Sequence, residues 1–364
     1  MYIYFIFHFL IIYFFLLSIN YKFDKKLSNF FYFYFILSLI FFTGLRFETG
    51  GDWSTYEYNF KNNGSDFKFL NFSVRSDYGW ESIAYILYQL DLEYFILNLI
   101  SSIFFFFSFS FYIKNFKYKI LSYIISFPII FIILLMGFTR QALAFSFLLI
   151  SIKLITDKKF ILSFIILTIG IFFHKSLLIF YFIFLLFPEK TLKFIKKQKI
   201  INVIFYSFLL ILLLFLIFQV IKTDLSNLYL NYFGKAVNSN PISKGAYQRW
   251  FINLIPSLIF IFFHKRFLIN IYEKRIYLTF SFLSIFLILA IPFFTTGVDR
   301  ILYYFFVIQI FVFSYLPVMT LRYRKIYTFL ISFYYLSILF IWLKYSYHSY
   351  LWYPYKNILL EGYL

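Results

Sequence analysis

The chain has 364 residues, 63% of them hydrophobic and only 13% charged, with 34 Lys and Arg against 15 Asp and Glu for a net charge of +19. Soluble domains carry about 25% charged residues, so this composition excludes a water-soluble globular protein and makes the bilayer the solvent. The absence of cysteine excludes disulfides, thiolate nucleophiles and cysteine-ligated metals, and the four histidines, His8, His174, His264 and His348, show no metal-ligand spacing.

In chain order, apolar runs of the length needed to cross a bilayer predict about twelve spans, centred near Phe9, Leu37, Phe104, Ile129, Phe147, Ile165, Ile183, Ile211, Pro256, Phe286, Val307 and Leu336. Backbone groups in lipid must be satisfied within the segment, and the runs lack the two-residue alternation of a membrane barrel, so they are expected to be helices. The first run, from Met1 to Asn20, has no basic residue before it and no small-residue cleavage site, so it reads as a span and not as a removable signal peptide. The runs near Ile165 and Ile183 have the shorter length of re-entrant segments, and as a hairpin they leave the remaining topology unchanged. Pro128, Pro256 and Pro292 are expected to kink their helices, and mid-span Gln309 reads as structural.

Basic clusters fall between alternate spans: Lys22, Lys25 and Lys26; Lys114, Lys117 and Lys119; Lys153, Lys158 and Lys159. They continue with Lys190, Lys193, Lys196, Lys197 and Lys199, then Lys265, Arg266, Lys274 and Arg275, then Arg322, Arg324 and Lys325. This one side holds 21 of the 34 basic residues and four acids, Asp24, Asp157, Glu189 and Glu273. The positive-inside rule makes it cytoplasmic and places both termini outside. The basic charge thus follows topology and does not signal nucleic acid. The expectation is an all-α polytopic membrane protein, a single domain over 1–364, with longer extracytoplasmic loops at about 45–93 and 222–249.

The unusual polar groups share the extracytoplasmic face. Arg140, Lys175, Arg249 and Arg300 stand at or near the starts of helices that run inward, where the dipole disfavours a cation and an anion should compensate. Lipid phosphate or a loop acid such as Asp52 could do this; a bound phosphate or diphosphate is the sharper reading, since helix N-termini with arginine forks suit it. Arg46, Gly50, Gly51 and Asp52 form either a turn with a local ion pair or a place where backbone approaches a ligand closely. Trp53, Tyr56, Tyr58 and Trp80 are candidates to stack on sugars. His174 and Asp52 are the two candidate bases. His174 is preferred, because a carboxylate near several arginines is expected to have a lowered pKa, whereas Lys175 keeps the imidazole neutral.

The stretch Arg46-Phe-Glu-Thr-Gly50-Gly-Asp52-Trp-Ser-Thr-Tyr56 resembles the R-x-x-x-G-x-D-x-x-x-Y-like signature of the EpsG-like family of Wzy-type polysaccharide polymerases. Arg140-Gln141-Ala142, His174-Lys175-Ser176, Asp299-Arg300 and Pro354-Tyr355-Lys356 follow in the family's order, and Asp77-Tyr78-Gly79-Trp80-Glu81 stands where members often carry an acid before a glycine-aromatic pair. The resemblance implies transfer of a growing glycan from undecaprenyl diphosphate onto a lipid-linked repeat unit at the outer face of the bacterial cytoplasmic membrane. Arg46, Arg140, Lys175, Arg249 and Arg300 would then hold the diphosphate, and Tyr56, Gln141 and Asp299 the glycan, with His174 or Asp52 as base. Expected partners are undecaprenyl-diphosphate-linked glycans, membrane lipid, a chain-length regulator and a flippase; no metal, cofactor or nucleic acid is expected.

Three rivals bear weighing. A glycan ligase would share donor and leaving group. A membrane acyltransferase would need a histidine facing a cytoplasmic acyl donor, and His174 faces the other way. A transporter would show internal repeats and midplane charges.

Overall fold

The computed structural model describes residues 1–20, 24–63, 77–185, 245–292, 295–319 and 321–361. The expected span near Ile211, Lys22, the cluster from Lys190 to Lys199, and positions 64–76 and 222–244 of the two long loops lie outside the described residues. The chain is a helical, multi-pass membrane protein. Among the described residues seven helices are long and apolar enough to cross a bilayer: Tyr2–Ile19, Lys26–Gly44, Tyr94–Ile113, Thr139–Thr156, Gly245–Arg266, Thr295–Met319 and Arg324–Tyr345. Each holds one expected centre. Two shorter apolar helices, Lys119–Leu135 and Phe160–Ile171, hold Ile129 and Ile165. Seven spans by length, not twelve, are therefore what the described residues supply.

In chain order the elements are α1 (Tyr2–Asn20), α2 (Lys25–Gly44), β1 (Arg46–Phe47), α3 (Trp53–Asn63), α4 (Tyr78–Gln89) and α5 (Tyr94–Ile113). Next come α6 (Lys119–Ser126), α7 (Thr139–Thr156), α8 (Phe160–Ile171) and α9 (Phe182–Leu185). After these follow α10 (Gly245–Phe263), α11 (Ile271–Phe286), α12 (Thr295–Phe305), α13 (Val307–Met319), α14 (Arg324–Tyr345), β2 (Lys356–Asn357) and α15 (Ile358–Glu361).

The centre of the bundle is α6, which packs against α1, α13 and α14 and continues as a π-helix over Phe127–Leu135. Pro128 lacks an N–H and its ring collides with the carbonyl four residues back, so the ladder widens there instead of simply kinking. Every residue from 121 to 137 is buried. Pro256 lies inside α10, whereas Pro292 stands in the turn after α11 and kinks no helix. Gln309 is structural: it accepts from the Tyr335 hydroxyl (2.6 Å) and donates to Asn253 Oδ1 (2.7 Å), while Asn253 donates to Leu302 O (3.0 Å). These bonds join α14, α13, α10 and α12.

The first long loop folds because its apolar residues follow a helical period. Trp53, Tyr56 and Phe60 on α3, with Trp80 and Leu87 on α4, form a second apolar core against Tyr94, Leu97 and Leu143. Trp53, Tyr56 and Trp80 are buried there, so of the aromatics expected to meet sugar only Tyr58 is exposed.

Arg46 fastens this loop to the bundle, and its expected role as a diphosphate ligand is corrected by its surroundings. It is 1% exposed, and its guanidinium donates to Thr43 O (2.5 Å), Thr49 O (3.1 Å), Asn98 Oδ1 (2.8 Å) and Thr139 Oγ1 (3.0 Å). One side chain thus ties the end of α2, the loop, α5 and the start of α7. The tail closes over it: β1 pairs antiparallel with β2, Arg46 opposite Asn357, and Lys356 forms an ion pair with Glu48 (2.5 Å).

Removing this hub leaves buried acceptors without donors, each costing about 1–3 kcal/mol. Arg46→Ala should therefore lower the thermal unfolding temperature in detergent steeply, and Arg46→Lys should not restore it, because an ammonium cannot reproduce the planar fork. An Arg46→Ala protein that unfolds at the wild-type temperature would contradict the hub.

Candidate active site

Five segments distant in sequence converge on one site: the turn through Asp52, the start of α4, the start of α7, the turn after α8 and α12. Gly79 N donates to Phe172 O (2.8 Å), bringing the start of α4 against the turn that carries His174 and Lys175. Asp52 N donates to Gly137 O (3.2 Å), setting the loop against the short break between the π-helix and α7. Arg140 is the second residue of α7.

Arg140 is the organising cation. Its Nη1 lies 3.0 Å from Asp77 Oδ2, and its guanidinium stacks over the Tyr56 ring at 4.9 Å. The Tyr56 hydroxyl donates to Asp52 Oδ2 (3.1 Å). Tyr56 therefore couples Asp52 to Arg140 from a buried position and does not present a face for sugar. Arg140 Nε is buried without a partner.

The electrostatics reverse one expectation. Burial raises the Asp77 carboxyl to about 6, although Arg140, Lys175 and Arg300 all pull it down. Asp52 is likewise raised by burial, against the Tyr56 hydroxyl, Arg300 and Arg140, and Glu81 is raised by burial too. Desolvation of the charged form outweighs the nearby arginines, which the sequence cannot weigh. His174 goes the other way: burial, then Arg300, Arg140 and Lys175, lower it to about 3. It is neutral, as expected, but a weaker base than either aspartate. His174 Nδ1 lies 2.6 Å from Ser176 Oγ, which donates to the Tyr304 hydroxyl (3.0 Å). Lys175 is lowered by burial and supported by Asp77 and Glu81.

Arg140 and Arg300 thus act together on Asp52, Asp77 and His174, and the Arg300 guanidinium lies over the Phe138 ring at 5.7 Å. Three other expected ligands are engaged within the protein. Arg249 forms a two-pronged pair with Asp299, Nε to Oδ1 at 2.5 Å and Nη2 to Oδ2, over the Tyr303 ring at 4.4 Å. Gln141 is 1% exposed and its Nε2 donates to Arg300 O (2.5 Å), joining α7 to α12. The expectation that Arg249 meets diphosphate and Asp299 glycan is corrected accordingly, since the two side chains take each other's donors and acceptors. Gln141 is sealed from glycan by burial, with its Nε2 spent on Arg300 O and its Oε1 buried without a partner. The close backbone approach at Gly50 is real, but protein fills it. Its φ is +124°, and a side chain there would strike the Met136 carbonyl oxygen.

Among the described residues no three His, Asp or Glu side chains group as a metal site would require. Asp77 was legible only as an acid before a glycine-aromatic pair. Tyr304 and Trp352, which bounds the Asp52 turn, carry no signal in a chain that is 28% aromatic.

Comparison with known proteins adds one match. The model of the EpsG family covers residues 29–357. No curated protein and no solved structure matches the chain. A match over nearly the whole length, from α2 to β2, takes in every residue of the site, and the chain belongs to the EpsG family of Wzy-like polysaccharide polymerases.

Proposed function

We propose that the protein is a polysaccharide polymerase that transfers a glycan from undecaprenyl diphosphate to a lipid-linked repeat unit at the outer face of the bacterial cytoplasmic membrane. Family membership supports the reaction class, and the observation that carries the reading is the convergence of Arg140 and Arg300 on two carboxylates, half-buried Asp52 and buried Asp77, with Lys175 also acting on Asp77. Glycan transfer from a diphosphate needs two things of a protein. Negative charge growing on the departing diphosphate must meet fixed cations, and the attacking hydroxyl must lose its proton.

In this reading the acceptor oxygen forms the new bond to the anomeric carbon as the bond to the diphosphate oxygen breaks. The hydroxyl proton passes to Asp77, and the leaving charge falls on Arg140, Arg300 and Lys175. Asp77 is preferred over His174 because a base works best with a pKa near the operating pH, and about 6 is far closer to it than about 3. Arg140 links the two halves. As diphosphate draws its charge, its downward pull on Asp77 weakens, and the carboxylate gains proton affinity when the proton must be taken. Asp52, held by Tyr56, orients the acceptor or Arg140. His174 fixes the turn that carries Lys175.

Orientation rests on the positive-inside distribution of basic residues. A cysteine at Asn62, near the exposed end of α3, should react with a membrane-impermeant thiol reagent applied to whole cells. Reaction from the cytoplasmic side alone would overturn the orientation. Deletion of the gene should leave single repeat units on the surface glycan; loss of all attached glycan would point to a ligase instead.

With purified protein and lipid-linked repeats, Asp77→Asn should lower kcat by about 10²–10⁴-fold, the usual effect of losing a general base. The wild-type rate should rise with pH through a midpoint near 6, as Asp77 loses its proton. That limb should vanish in Asp77→Asn and move to higher pH in Arg140→Gln, because the arginine's lowering influence is gone. Arg300→Ala should reduce turnover far more than protein level. A His174→Ala enzyme as crippled as Asp77→Asn would return the base to His174, and an acid limb indifferent to Arg140 would overturn the assignment to Asp77.

A further inference from the structure

The last stretch of the chain lies far in sequence from the catalytic groups, yet it is built into their frame. Trp352 is 2% exposed. Its indole Nε1 donates to Ile132 O (2.8 Å) in the π-helix, and its carbonyl accepts from the Tyr4 hydroxyl (2.5 Å). Leu351 O, one residue earlier, accepts from Gly50 N (2.9 Å). The indole is seated between two glycine turns. A side chain on Gly137 would come within 2.6 Å of Cζ2, and one on Gly51 within 3.0 Å of Cη2. One turn leads directly into Asp52; the other leads, three residues on, into Arg140. The two turns meet at Asp52 N and Gly137 O (3.2 Å), beside the ring.

We infer that Trp352 is a positioning residue for catalysis, a rigid wedge that sets the separation between the Asp52 turn and the helix start carrying Arg140. It touches neither reacting group and acts through both turns. An indole suits this place for two reasons. Its flat face matches surfaces that have no Cβ, and its N–H donates to a carbonyl near the end of a buried helix. The assignment rests on the polymerase reading only for the roles of Asp52 and Arg140; the wedge itself rests on contacts.

A displacement of about 1 Å far from the chemistry can cost about 10²-fold in rate, so Trp352→Ala should lower kcat by about that factor while donor KM changes little, since the cations remain. Trp352→Phe keeps a ring but loses the N–H and should fall between. Gly137→Ala should also slow turnover, by pushing the indole away, and the double variant Gly137→Ala/Trp352→Phe should recover part of the loss because the smaller ring makes room. A double variant as slow as the product of its parents overturns the wedge, since the two positions would then not share a contact. Hydrogen exchange provides a second measure that needs no substrate. In Trp352→Ala the amides of Gly50 and Asp52 should lose protection, while amides of α14 stay protected. Unchanged protection at both amides overturns the proposal. Wild-type protein that fails to polymerise lipid-linked repeats, with the amides still loosened in Trp352→Ala, sinks the polymerase reading and leaves the wedge standing.

Discussion

A guanidinium sealed inside a membrane protein constrains everything around it, and Arg46 is that group here. A buried charge is tolerated only when its donors are met, so Thr43 O, Thr49 O, Asn98 Oδ1 and Thr139 Oγ1 must all be delivered to one point. Those atoms belong to α2, the first loop, α5 and α7. Satisfying them fixes where the loop leaves the bundle and where α7 begins. Asp52 lies six residues after Arg46, and Arg140 is the neighbour of Thr139. The geometry of the candidate site therefore depends on a buried residue whose guanidinium bonds to the protein itself.

Within that frame the balance between desolvation and Coulomb attraction sets the chemistry. A carboxylate beside arginines is commonly expected to be a poor base, and in water it would be. Here Asp77 is pulled down by three cations and still stands raised to about 6, a net shift worth roughly 3 kcal/mol at about 1.4 kcal/mol per unit. Burial outweighs the combined pull of the cations. Histidine responds with the opposite sign, because burial and cations both disfavour its charged form. The same environment thus strengthens the aspartate as a base and weakens the imidazole.

This also marks how far the sequence could be read. The spans were legible because a bilayer demands long apolar runs, and seven expected centres fall within seven long helices. The side-chain cluster was legible in outline: Arg140, His174, Lys175, Arg300 and Asp52 do come together. Roles were not legible, because they depend on partners far away in the chain. Arg249 and Asp299 are 50 positions apart and satisfy each other. Arg46 carries the clearest motif residue but spends its donors internally. Gly50 and Gly51 announce a close approach, yet the approaching groups are Met136 O and the Trp352 ring. A sequence reveals that space is needed and not what fills it. The order of proton affinities is not readable from the sequence for the same reason, since desolvation depends on packing.

The break between the π-helix and α7 shows why loop, tail and site come as one unit. Irregular backbone within an apolar bundle survives only where protein supplies its hydrogen bonds. Near this break Ile132 O accepts from the Trp352 indole and Gly137 O from Asp52 N. The chain has to stop being helical there for Arg140 to begin a new helix facing Asp77, and that stop exposes carbonyls. The turn through Asp52 and the C-terminal tail both enter to satisfy them. The proposed catalytic loop is thus also the cap of a broken helix, and the polar cost of interrupting a buried helix is met by the segment that carries the carboxylate. Glycine at 50 and 137 lets the two turns and the indole close to within hydrogen-bonding distance. The conformation that satisfies the backbone is in this way the same one that sets Asp52 against Arg140.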